Sequence, residues 1–203
     1  FDNPELKELT VQVAISMTNL DGAAANLEAE TTTFDQARKA AYNAWNEHLG
    51  KIKVSKGSDE HKTIFYTALY HTMLDPYLPS DANGNFIGAD KKVSNDQNIE
   101  AYGLLSLCDT FRALHPLFTI KKPAKNQEFI RSIIRYYDQV GRLPVWDMNM
   151  NEVDCMVGYH SIPVIADAYL KGQRDFDAER ALEAMVASAM QEDWNGVQYL
   201  REI

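Results

Sequence analysis

Two carboxylates and two thiols stand where side chains can do chemistry. Glu152 lies in a polar run, NEVDCM, between a loop at 142–153 that holds Pro144 and Trp146 and a helical pattern at about 154–170. A carboxyl group there can pass a proton, and just ahead of a helix it can also serve as a cap. By position alone Glu152 reads as a capping or solvated residue. Asp109 follows Cys108 in a helical run with Thr110 and Arg112. It can pair with Arg112 along the helix, a contact worth roughly 0.2–0.5 kcal/mol. Cys155, three residues after Glu152, reads equally as a thiol touching a ligand or as a small buried hydrophobe. With no other cysteine, Cys108 and Cys155 make neither a disulfide framework nor a zinc spacing. His71, His115 and His160 form no HExxH pair and read as hydrogen-bonded structural residues. The loop at 81–90 is similar to a calcium-binding loop but carries Lys92 where the closing Glu would stand. No metal site is assigned within this chain.

The elements that must position these residues are mostly helical. Residues 8–17, ELTVQVAISM, alternate Val11, Val13 and Ile15 with Gln12, Ala14 and Ser16, a strand pattern with no counterpart elsewhere. A lone strand cannot bury its face, so this one reads as the last strand of a β domain. Residues 23–49 read as two helical pieces interrupted at 31–33, with Trp45 and Leu49 on one face. Ser58 and Asp59 open a helix that Pro76 stops, and a long loop over 77–102 follows. Helical spacing returns at 104–114, ending at Pro116, then at 126–140 with Gly141 as its stop, at 154–170, and at 177–190. The net charge of −9 argues against binding to nucleic-acid phosphates. No apolar run reaches the ~18 residues of a membrane span.

Four stretches carry a resemblance. They are FYTALYHTMLDP (65–76), GNFIGAD (84–90), SLCDTFRALHPL (106–117) and LPVWDMNMNEVDCMVGYHSIPVIADAYLKG (143–172). In this order they resemble glycoside hydrolase family 92, the calcium-dependent exo-α-mannosidases. The segment ISMTNLDGAAANLEAE (15–30) is similar to the family's domain junction. The resemblance implies a mainly α chain, a partial (α/α)6 toroid preceded by a helical linker and the last strand of a β-sandwich. The implied divisions are 1–20 for the end of the sandwich, 21–50 for the linker and 51–203 for the first half of the toroid. The chain is thus expected to be a fragment lacking the second half of its catalytic domain, and inactive alone. The resemblance also implies a secreted or periplasmic location.

The implied chemistry is removal of terminal mannose from mannosides and N-glycans by inversion, with an α-1,2 preference. Glu152 takes the general-acid role through its NE…CM.GYH motif. A helix N-terminus favours the ionised carboxylate, so that role conflicts with a helix starting near Asp154. Asp109, in the position of the family's SLWDT, is expected to hold the terminal mannose. Cys108 replaces the Trp of that pattern and is expected to leave a gap in the sugar subsite, while Cys155 adjoins it. Calcium is the implied cofactor, with most of its ligands outside this chain. Two other readings stand beside this one: an inactive mannose-binding relative, for which Cys108 speaks, and an all-α interaction domain.

Overall fold

The structure is a computed structural model that describes residues 9–95 and 101–191. Its order is α1 (Leu20–Glu30), α2 (Phe34–Leu49), α3 (Asp59–His71), β1 (Asn85–Ile87), β2 (Val93–Asn95), α4 (Leu107–Thr110), α5 (Leu114–Lys121), α6 (Pro123–Val140), α7 (Ser161–Leu170) and α8 (Ala178–Ala189). The chain is mainly helical, as the three-and-four spacing predicts.

Local chemistry sets the helix ends. Asn19 caps α1 by accepting from the Gly22 N–H at 2.8 Å. Thr33 and Gln36 form a reciprocal capping box at the start of α2, which explains the interruption at 31–33. Ser58 caps α3 and Asp177 caps α8. Trp45 meets Tyr70 of α3 with ring centroids 4.5 Å apart, so the Trp45–Leu49 face of α2 packs as its spacing implies. The Tyr66 hydroxyl ties α3 to the connection by donating to the Ile52 carbonyl at 3.0 Å.

The core forms around α6. Ile130 and Ile133 are fully enclosed and meet Leu105, Leu107, Val164, Ile165, Ala168 and Ala184 from the preceding segment, α7 and α8. Gly141 ends α6 in the left-handed conformation, with φ 77° and its N–H on the Tyr137 carbonyl. A side chain there would be strained, so glycine stops the helix.

Two helix boundaries differ from the sequence reading, and the N-terminal segment is described without a strand partner. Residues 9–16 run without a ladder partner among the described residues, and Val13 and Ile15 are each 81% exposed. β-branched alternation predisposes a segment to pair, but a strand exists only against a partner. Pro116 does not end a helix; it sits third in α5, where an N–H has no intrahelical acceptor. The helix read from residue 154 begins at Ser161 instead. Asp154 at φ 58° and Gly158 at φ 103° are left-handed and cannot belong to a right-handed helix. The long loop at 77–102 also holds the short β1–β2 pair, in register Asn85↔Asn95 and Ile87↔Val93.

Candidate active site

The loop that carries Glu152 is a small hairpin. Met148 and Asn151 exchange backbone hydrogen bonds of 2.8 and 3.0 Å, and the two residues between them, Asn149 (φ 54°) and Met150 (φ 58°), are both left-handed. Two such residues define a type I′ turn, which Asn favours and Met does not. Asp147 faces Glu152 across this hairpin, and Ser106 faces Trp146 on its other side. The segment leading into α4, which bears Asp109, therefore lies against the loop that bears Glu152.

Glu152 is 9% exposed. Its Oε2 accepts from the Val145 N–H at 2.7 Å, and its Oε1 from the N–H groups of Trp146 at 3.1 Å and Asp154 at 3.3 Å. The side chain folds back on its own loop and closes it. Because α7 starts only at Ser161, the dipole conflict expected at residue 154 does not arise. To protonate a leaving group, Glu152 must turn one oxygen away from these donors.

Asp109 is exposed at the third position of α4. Its Oδ2 accepts from the Ser106 hydroxyl at 2.8 Å, and Ser106 in turn accepts from the Trp146 indole N–H at 2.7 Å. Arg112 donates to the Cys108 carbonyl at 3.5 Å and lies over the Phe111 ring. Cys108 is 6% exposed, with its Sγ 3.6 Å from Asp109 Oδ2. Burial and the adjacent Asp109 push this thiol's pKa up. Cys155 is a free, exposed thiol.

Sequence reasoning did not single out Ser106, Trp146 or Asp147. Asp147 is wholly buried, and its Oδ1 accepts from the Leu105 N–H at 2.7 Å. Burial, with a smaller contribution from Glu152, raises its pKa from 3.8 to about 6, although the backbone donors oppose the rise. Nearby Tyr136 is pushed up by burial and then by the charges of Glu152 and Asp147. The available signal was an Asp flanked by Trp146 and Met148, an acidic residue among side chains of buried type.

His115, 1% exposed, is a core histidine, with its Nδ1 3.5 Å from Asn126 Oδ1. Asp81 receives Ser16, Thr18 and Asn26 and so ties the N-terminal segment to the 77–102 loop. Burial works against its charge, but these hydrogen bonds prevail and lower its pKa. Calcium takes six to eight oxygen ligands. Among the described residues no three His, Cys, Asp or Glu side chains gather around a common point, and Asp81 is already committed.

The glycosyl hydrolase family 92 catalytic domain matches residues 22–202. The chain belongs to this family. As a family 92 chain it is similar to the family GH92 alpha-mannosidase BT3965 from Bacteroides thetaiotaomicron, at 35% identity and TM-score 0.85, covering 92% of this chain and 25% of that one. The same protein in complex with mannoimidazole matches at 36% identity and TM-score 0.84, with the same coverage. The family GH92 inverting mannosidase BT2199, also from Bacteroides thetaiotaomicron, matches at 31% identity and TM-score 0.79, over 93% of this chain and 27% of that one. This family 92 chain thus spans about a quarter of the length of these solved structures. No curated protein matches it.

Proposed function

We propose that this chain contributes the acid-bearing part of an α-mannosidase that removes terminal mannose by inversion. The observation that carries the reading is the junction of two segments. Trp146 and Ser106 connect the Glu152 loop to Asp109 through hydrogen bonds of 2.7 and 2.8 Å, within a family whose similar member was solved with mannoimidazole. In this reading Glu152 protonates the leaving oxygen and Asp109 accepts hydroxyls of the terminal mannose. Cys155, exposed beyond Glu152, borders the sugar, and Cys108 acts from behind Asp109.

An inverting displacement places the base and its water on the face opposite the acid, with the two carboxyls roughly 6.5–9.5 Å apart. We assign that base, and most of the oxygens that hold calcium, to residues outside this chain. The substrate is a mannose-bearing glycan, with an α-1,2 linkage on N-glycans as the first to try and an extracytoplasmic location. The division into the end of a sandwich (1–20), a linker (21–50) and half a toroid (51–203) belongs to the same proposal. No described helix is long and apolar enough to cross a membrane.

The test is Glu152→Gln in the intact protein. General acids contribute about 10²–10⁴-fold, so mannosides with poor leaving groups should lose about a hundredfold or more in kcat. Those with good leaving groups need little protonation and should lose far less. Equal losses on both would remove Glu152 from the acid role. A second reading, an inactive mannose-binding relative, is favoured by Cys108 and by the backbone donors that occupy both Glu152 oxygens. It predicts mannose binding by titration with no hydrolysis, with or without a calcium chelator.

A further inference from the structure

We propose that Asp147 is a positioning residue that holds Glu152 in register with Asp109, an inference that rests on the acid role given above to Glu152. Its carboxylate spans two segments. One oxygen accepts from the Leu105 N–H at 2.7 Å, four residues before Asp109, and the other from the Met150 N–H at 3.2 Å, two residues before Glu152. Asp147 also faces Glu152 directly across the hairpin. A backbone ladder alone would let the two segments slide or hinge; a buried carboxylate bonded to both sets their separation.

A second observation points the same way. Leu104 (φ 61°) and Met150 (φ 58°) are left-handed without being glycine or asparagine. Such residues persist only where their surroundings over-determine them, and they gather at functional sites. One lies on each of the segments that Asp147 joins, and the N–H groups of Leu105 and Met150 converge on its carboxylate. Gly103 packs against the same group, so that a Cβ there would lie 3.9 Å from Asp147 Oδ2 and 3.5 Å from Met150 Sδ. The carboxylate is wholly buried and so holds the geometry without touching substrate.

Asp147→Asn keeps the shape but turns a donor toward one of these N–H groups. In the intact protein it should lower kcat on poor-leaving-group mannosides by about tenfold to a hundredfold, the scale expected for a misplaced catalytic group. KM and turnover of good-leaving-group substrates should change by less than about threefold. The decisive measurement is the same substitution in a Glu152→Gln background. A residue that acts through Glu152 adds almost no further loss there, whereas a merely structural one costs the same factor in both backgrounds. Equal factors, or full activity of Asp147→Asn, would overturn the positioning role while leaving the acid role intact. Full activity of Glu152→Gln on poor leaving groups would overturn the acid role, and with it this inference. Should Asp147→Asn not fold, hydrogen exchange on the unaltered protein decides. Protected Leu105 and Met150 amides support the clamp, and free exchange at either overturns it.

Discussion

Asp147 and His115 are buried titratable groups whose pH effects oppose each other. Asp147 titrates at about 6 instead of 3.8 because burial disfavours its charge. The native state therefore holds this proton after the unfolded chain has released it. Its contribution to stability is full below about 3.8 and is lost as pH rises through about 6. His115 is lowered from 6.5 to about 4, again by burial, with the Asn126 hydrogen bond opposing. Its contribution is present above about 6.5 and is lost as pH falls through about 4. Each gap corresponds to ~3 kcal/mol, so between pH 4 and 6 the two slopes nearly cancel. Asp147→Asn should leave a stability that rises with pH across this window, and His115→Gln one that falls. Denaturant midpoints at half-unit pH steps check both. Position 108 bears on stability as well as on the sugar subsite expected there. Cys108 is buried beside Asp109. Cys108→Trp should then overpack α4 and destabilise by about 1–3 kcal/mol, rather than tighten mannose binding. A thermal melt read beside mannose titration separates the two outcomes.

At the scale of elements, α6 is the helix on which the site rests. It packs on α5, α7 and α8, and Ile133 at its centre is wholly enclosed. Ile133→Ala should cost about 2–5 kcal/mol. Gly141, by contrast, has no heavy atom within 4 Å of where a Cβ would stand. Gly141→Ala should cost only the left-handed backbone strain, about 1–2 kcal/mol. Urea unfolding of both variants tests this ordering, with space deciding the first and φ the second. The apolar spacing of 126–140 made α6 legible because its buried residues repeat with the helix turn. The hairpin at 146–153 was not legible. Its geometry comes from left-handed Asn149 and Met150 and from an Asp147 carboxylate whose Leu105 donor lies on a distant segment, none of which leaves a periodic trace.

At the scale of the whole molecule, α7 and α8 share an apolar outer face. Leu170 is 83% exposed, and Leu182, Val186 and Met190 are also open to solvent. A cleft of about 390 Å³ lies beside them, lined by Phe176 and Met185 among others. Contiguous apolar surface of this kind drives association. The purified 203-residue chain is therefore expected to self-associate at micromolar concentration, and Leu182→Glu with Val186→Glu should shift it toward monomer. Sedimentation velocity over a concentration series checks this. A chain that stays monomeric throughout would show that the face tolerates water.

Much of this protein is determined by the order of its residues alone. Helices α1, α2, α3, α6 and α8 follow from caps at Asn19, Thr33, Ser58 and Asp177, from the Gly141 stop, and from apolar periodicity, all of which act within a few residues of each other. The family follows from long motifs in series. Tertiary structure decided what depends on contacts between distant segments: that residues 9–16 pair with no described strand, that α7 waits until Ser161, and that Cys108 is buried. It also decided that Asp147, forty-two residues from Leu105 in sequence, closes a hydrogen bond to it. The reason is physical. A cap or a helix face is satisfied by near neighbours, whereas the register of two loops is set by a buried carboxylate whose partners the fold alone brings within reach.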